Sequence, residues 1–150
     1  MFAATGAEVR FGGSRAYYSP SEDIIQLPPK SAFDPNQYYP VLAHEFMHWT
    51  GHETRLNRLA KFARFGSEAY AVEELVGELG AAFLSTEIGV PQSDDLSNVI
   101  SYLSNWLKVL KRDHSAIFSV ASAASKSADF VMSFSRSTET SESETEAVAV

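Results

Sequence analysis

The spacing of apolar and polar residues divides the chain into two unlike halves. Before residue 30 the apolar positions come in short runs broken by turn residues: Glu8 to Phe11, then Gly12-Gly13, Arg15 to Tyr18, then Ser19-Pro20-Ser21, and Asp23 to Leu27 closed by Pro28-Pro29. Runs this short between Gly, Pro and Ser predict the strands of a small sheet rather than helices. After residue 34 the period lengthens. Asp34-Pro35-Asn36-Gln37 carries a helix-start signature, with Asp as cap, Pro first and Gln three residues after the cap. Pro40 would kink a helix begun there, so a short turn followed by a fresh helix from about Tyr39 to Thr50 fits equally well, with Gly51 as its stop.

A longer helix is expected from a Ser67 cap to about Glu87, with Val72, Leu75, Val76, Leu79 and Phe83 at helical spacing and Gly89-Val90-Pro91 ending it. Two more follow, roughly Asp95 to Lys111, with Val99, Tyr102, Leu103, Trp106 and Leu110 on one face, and His114 to Phe134. Strands first and helices afterwards predict an α+β fold: a small antiparallel or mixed sheet packed on the Tyr39–Thr50 helix, then a helical C-terminal half. Trp106 is expected in the core, and His114 as a cap or surface residue.

Charge changes this picture at two places. The chain carries 19 acidic and 12 basic residues, a formal charge of −7, which excludes a protein that coats nucleic acid through a broadly basic surface. The segment SRSTETSESETEAVAV, Ser135 to Val150, holds four Glu against one Arg, a net −3 that leaves −4 for residues 1–134. A Ser/Thr/Glu segment without aromatics cannot bury enough apolar surface to offset its ordering entropy, so 135–150 is expected to be a disordered tail on a domain of residues 1–134. Between Glu53 and Glu68, by contrast, Arg55, Arg58, Lys61 and Arg64 stand with no acid among them. They predict a solvated basic loop, with a weak contact to single-stranded DNA or an acidic protein as the alternative.

The chain has no cysteine, so it has no thiolate metal site and no cysteine nucleophile. Any catalysis falls to His, carboxylates, hydroxyls or a metal held by N and O ligands. No apolar run approaches the ~18 residues of a membrane helix, and MFAATGAEVRFGG lacks the pattern of a signal peptide, so a cytoplasmic protein without membrane contact is expected.

Three of the four histidines fall at His44, His48 and His52, and the first two frame the HExxH sequence His44-Glu45-Phe46-Met47-His48. With this composition a chance match has an expected frequency of about one in a hundred. On a helix, residues four apart share a face, so both imidazoles reach one ion while Glu45 leans toward an adjacent water. The chemistry implied is peptide hydrolysis by a Zn²⁺-activated water, with Glu45 taking the proton and passing it to the leaving amine of a peptide or protein substrate.

A catalytic zinc usually takes three protein ligands. The metzincin position, three residues past Gly51, holds Thr54, which cannot serve. His52 falls after the expected helix end. The stronger source is the helix carrying Glu73, Glu74 and Glu78. Glu78 is the only charge in LVGELGAAFL, Leu75 to Leu84, and a lone carboxylate in so apolar a run is costly unless it is paired or cation-bound. The pattern resembles gluzincins, in which a Glu on a second helix is the third ligand and an acidic group four residues later orients an imidazole. On that basis Glu74 is the expected ligand and Glu78 the orienting group, the swapped roles staying open. Glu73 reads equally as a solvated first-turn residue favoured by the helix dipole. Tyr70, four residues before Glu74, is a candidate donor to the tetrahedral oxyanion, with core packing as the alternative. Asp23 to Leu27 is the candidate strand for pairing with substrate backbone, an ordinary strand of the sheet being the equal alternative.

The run YYPVLAHEFMHWTG ending at Gly51, with His52, Arg55-Leu56-Asn57-Arg58, Phe65-Gly66-Ser67, Glu73-Glu74-Leu75 and Gly80-Ala81-Ala82-Phe83-Leu84, resembles the zincin-like metallopeptidase domain of ArdC-type antirestriction proteins and of phage and plasmid polyvalent proteins. The similarity runs from about Thr5 to Phe134. It implies a metal-dependent, peptidase-like domain carried on mobile DNA. Members of that family bind single-stranded DNA largely through a different domain that precedes this one. A non-catalytic antirestriction or DNA-transfer accessory module, its metal site structural, is therefore the second function class the resemblance allows.

Overall fold

The computed structural model describes residues 1–58, 62, 68–90 and 97–147, with the side chains of 97–99, 101–103, 105 and 136–147 outside that description. A 3-10 turn at Phe2–Thr5 leads into β1 (Glu8–Phe11), β2 (Tyr17–Ser19) and β3 (Ile24–Leu27). The strand order is β1-β3-β2. β3 runs parallel to β1, pairing Glu8 with Ile24, and antiparallel to β2, pairing Tyr18 with Ile25, so the sheet is mixed. β3 takes the centre because it is the most apolar of the three: Ile24, Ile25 and Leu27 are all buried, as a strand covered on both faces must be. Its one polar side chain, Gln26, donates its amide to the Gly12 and Leu27 carbonyls at 2.9 and 3.2 Å.

A turn closed by Gln37 N–H on Asp34 O at 2.9 Å precedes α1 (Tyr38–Thr50). The helix thus starts afresh, and Pro40 sits in its first turn, where a missing N–H leaves no bond unmade. α2 (Ala69–Ile88) ends at Gly89, whose φ of 69° lets its N–H turn back onto Ser85 O. The Ser67 cap expected for it lies outside the described residues. α3 spans Ser97–Arg112 and α4 Ala116–Ala147. At their junction Asp113 Oδ1 accepts from Ser115 N–H at 2.9 Å, while His114 is exposed. The α4 backbone continues as helix through residues 135–147 of the Ser/Thr/Glu segment expected to be disordered, and its side chains from 136 onward lie outside the described residues.

α2 is the hub. One side meets α1 and, with the sheet and α4, encloses Ile25, Leu27, Leu42, Phe46, Met47, Trp49, Leu84 and Val131. The other joins Val72 and Val76 to Phe62 of the preceding segment and to Val109 of α3 and Val120 of α4. Trp106 is buried as expected, its Nε1–H on Ala71 O at 2.8 Å. Gly80 allows the close approach to α1, since a Cβ there would lie 2.6 Å from Met47 Sδ. Among the described residues no helix is long and apolar enough to cross a membrane.

Candidate metal centre

α1 has two working faces. Leu42, Phe46 and Trp49 point into the core, and burying Phe46 completely contributes about 2–3 kcal/mol. The opposite face turns His44 and His48 toward α2, where Glu74 projects between them. His44 Nε2 and His48 Nε2 lie 2.9 Å apart. Glu74 Oε1 is 3.5 Å from His48 Nε2, and Glu74 Oε2 is 3.8 Å from His44 Nε2. Ligands at ~2.0–2.1 Å on a tetrahedral ion stand about 3.3 Å apart, so the three separations bracket what one small divalent cation needs. Two imidazoles and a carboxylate, all within 4.8 Å, also form a donor set suited to such an ion.

Gly77 makes the convergence sterically possible. A Cβ at that position would stand 2.8 Å from His44 Cε1 and 3.1 Å from His48 Cε1, so any side chain there would push the histidines out of the seam.

Burial and neighbours set the charges. Burial, followed by the nearby His48, pushes the His44 pKa down to about 3, which keeps this ring neutral and its lone pair free. Burial also opposes the charged form of His48, but the Glu73 hydrogen bond and the charges of Glu73, Glu45 and Glu74 outweigh it and raise its pKa. Glu45, itself buried, is pushed up to about 7, chiefly by desolvation, with Glu74 adding to the rise and His48 and a Tyr18 backbone hydrogen bond opposing it. A carboxyl poised there exchanges protons readily near neutral pH. Glu78 is raised by burial and by Glu74. Its Oε1 lies 3.6 Å from His44 Nδ1, facing that nitrogen at slightly more than hydrogen-bond length.

The site opens into a cleft of about 900 Å³, whose lining includes Tyr17 and Tyr18 of β2, Phe33, Val41 and Tyr70. Tyr70 is not a core residue: it stands at the cleft wall, 64% exposed. His52 is outside the cluster, its Nδ1 2.8 Å from Thr54 Oγ1.

Three expectations need correction. Asp23 to Leu27 cannot receive a peptide strand, because β3 is hydrogen-bonded on both sides; the edge strand along the cleft is β2. The basic segment is not a solvated loop where its side chains are described. Arg55 pairs with both oxygens of Asp23, donates to Tyr18 Oη and Trp49 O, and stacks 4.0 Å from the Trp49 ring centroid. Arg58 is buried, 3% exposed, and neither guanidinium is free for phosphates. The side chains of Lys61 and Arg64 lie outside the described residues. Finally, Glu73 is buried rather than solvated, held by Arg58 and 3.1 Å from His48 Nδ1. Sequence reasoning missed this arrangement. The available signal was Gly77, one turn beyond Glu73, which marks that face of α2 as packed against another element.

An HExxH helix packed beneath a mixed sheet, with a carboxylate from a second helix completing a three-ligand cluster, defines the zincin class of metal-binding folds. The chain belongs to the zincin-like metallopeptidase family, whose model matches residues 1–123. It is 42% identical over 136 residues to an Escherichia coli protein named DNA primase TraC, covering 89% of this chain and 12% of that one. It is 40% identical over 130 residues to the uncharacterized Sinorhizobium fredii protein y4eC, covering 86% and 42%. The chain thus spans less than half the length of these curated relatives. Among solved structures it is similar to the antirestriction ArdC protein from plasmid R388. The Mn(II)-bound form gives a TM-score of 0.78 at 41% identity, and the metal-free form 0.81 at 40%. These cover 89% and 91% of this chain and 49% of the ArdC chain. The ArdC-type resemblance and the zincin-like α+β fold therefore hold, the family and the Mn(II)-bound relative indicate a divalent-metal site, and His44, His48 and Glu74 in the seam between α1 and α2 are its candidate ligands.

Proposed function

We propose that this chain is the peptidase module of a mobile-element protein of the antirestriction type, hydrolysing peptide bonds with a Zn²⁺ ion held by His44, His48 and Glu74. The observation that carries the reading is the buried carboxyl of Glu45, next to the three converging ligands and at the floor of a cleft bordered by an edge strand. A purely structural site needs no such group. A divalent ion at this place supplies Lewis acidity, to water and to the scissile carbonyl.

The protein's own residues do the rest. An extended peptide pairs with the exposed edge of β2, which sets its backbone across the cleft. Glu45 Oε takes a proton from the attacking water and returns it to the departing amine nitrogen, a role suited to a carboxyl held near 7. Glu78 faces His44 Nδ1 and orients that ring. Tyr70, on the cleft wall, donates its hydroxyl to the oxyanion in this reading.

Glu45→Gln tests the reading. It preserves shape and hydrogen bonding but accepts no proton, so metal content by elemental analysis should stay at the wild-type level. Cleavage of a mixed peptide library, read by mass spectrometry, should fall by ~10² or more. Undiminished cleavage in the variant would remove Glu45 from the chemistry. A wild type that retains metal yet cleaves nothing would instead favour a non-catalytic accessory module. That second reading is supported by the naming of two relatives as DNA primases.

A further inference from the structure

Arg58 is the most completely bonded side chain near the metal seam, and all five of its N–H groups have acceptors. Nε donates to Glu73 Oε2 at 2.9 Å and Nη2 to Glu73 Oε1 at 2.5 Å. The remaining protons go to Met47 O at 2.6 Å, Thr50 Oγ1 at 2.9 Å and Ser127 Oγ at 2.7 Å. One guanidinium thus joins α1, α2 and α4. The chain reaches this position by a reversal after α1. Leu56, Asn57 and Arg58 N–H groups bond Thr50, His52 and Gly51 carbonyls at 3.0–3.1 Å, and Asn57 takes a φ of 45° to make the turn. Asn tolerates that left-handed conformation better than most residues. Gly51 has an ordinary φ and is needed for space: a Cβ there would stand 2.8 Å from Arg58 Nη2.

Glu73, clamped on both oxygens by Arg58, also meets the His48 ring among the described residues. A carboxylate only accepts, so the 3.1 Å contact requires His48 Nδ1 to carry the proton. The lone pair then resides on Nε2, the nitrogen that faces His44 and Glu74. We propose that Arg58 is a positioning residue of the metal centre: by holding both Glu73 oxygens it keeps that carboxylate against His48 Nδ1, fixing the tautomer and ring orientation that present Nε2 to the cation. The inference rests on the reading of His44, His48 and Glu74 as ligands, and it assigns an orienting group to the second histidine as Glu78 is assigned to the first. Partners of this kind raise ligand basicity and fix geometry, and their loss typically weakens metal binding ~10- to 100-fold.

A buried Arg–Glu pair could equally be a strut with no bearing on the ion, and the two roles separate in a double variant. Changing only one partner strands a buried charge and destabilises any fold, whereas replacing both with apolar residues of similar size relieves that charge. For Arg58→Met/Glu73→Leu, the melting temperature of the chelator-treated protein should recover relative to Glu73→Leu. Zn²⁺ affinity, measured by competition with a chromophoric chelator, should stay ~10- to 100-fold below wild type. The visible bands of the Co²⁺-loaded protein should shift as the His48 ring turns. Affinity that recovers together with the melting temperature would overturn the proposal and leave a strut.

If the double variant does not fold, Arg58→Lys decides. It keeps the charge but cannot hold both oxygens, so Zn²⁺ affinity should be measurably weakened, and wild-type affinity would overturn the assignment. His44→Ala guards the underlying reading. If it keeps full Zn²⁺ affinity, the ligand set itself is wrong. If it loses Zn²⁺ while the Arg58 variants bind as wild type, only the positioning role fails.

Discussion

The two sides of α2 solve opposite problems. Toward α3 and α4 it presents Val72 and Val76, which meet Val109 and Val120, with Phe62 of the preceding segment, in a seam held chiefly by apolar burial and tied by the Trp106 hydrogen bond to Ala71 O. Toward α1 it presents Glu73, Glu74, Gly77 and Glu78, a seam of carboxylates and a missing side chain around two imidazoles. The first seam is non-directional, so any side chains of similar volume and polarity fill it nearly as well. In the second, carboxylates and imidazoles face one another at set distances, and a small displacement leaves a buried charge unmatched. Stability is therefore spread over many residues on one side, while on the other the proposed metal binding is concentrated in a few.

The largest expected effects lie in the polar seam. His44→Ala or His48→Ala should abolish metal binding in elemental analysis, and chelation of the wild type should lower its melting temperature, because binding energy is partly folding energy. Equal metal in wild type and both variants would break the comparison. Glu74→Gln removes a charged ligand and should lose most of the metal, whereas Glu78→Gln, removing an orienting contact, should weaken it ~10- to 100-fold. The reverse order would exchange the two roles.

A second pair of variants tests the seams against each other at neighbouring positions. Gly77→Ala adds one methyl where a Cβ would crowd both imidazoles, so Zn²⁺ affinity should fall by at least tenfold. Val76→Ala removes two methyls from the apolar seam and should lower unfolding free energy by about 2 kcal/mol, with Zn²⁺ affinity unchanged. Calorimetry and chelator competition on both proteins check this. Metal loss in Val76→Ala comparable to that in Gly77→Ala would show that the two seams are not independent.

The smallest expected effect concerns the C-terminal segment. We propose that residues 135–150 contribute nothing to either seam, since Ser, Thr and Glu offer little to bury. Deleting them should leave melting temperature and metal content at wild-type values. A drop of several degrees in thermal denaturation would place part of this segment against the body.

What the sequence determined by itself is what depends on local spacing. HExxH places two imidazoles on one helical face wherever the helix packs, because a four-residue interval is close to one turn. The cost of charge in an apolar helix singles out the Glu74–Glu78 face before any contact is known. The apolar run of β3, the helical periods and the Gly89 stop are likewise local, and they yield the fold class. What only the tertiary structure decided is what depends on where distant segments meet. Arg55 and Arg58 have the same chemistry and lie three residues apart, yet one ties Asp23 at the start of the central strand and the other enters the centre of the molecule. The path of the loop after Gly51 separates their fates, and no interval within that loop encodes it. Glu73 and Glu74 adjoin in sequence, and a rotation of about 100° along the helix sends Glu73 to Arg58 and His48 Nδ1 and turns Glu74 toward Nε2 of both His44 and His48. Which carboxylate would face which nitrogen was fixed only when α1, α2 and the intervening loop closed on one another, because pairing of buried charges is a property of three-dimensional neighbours and not of composition.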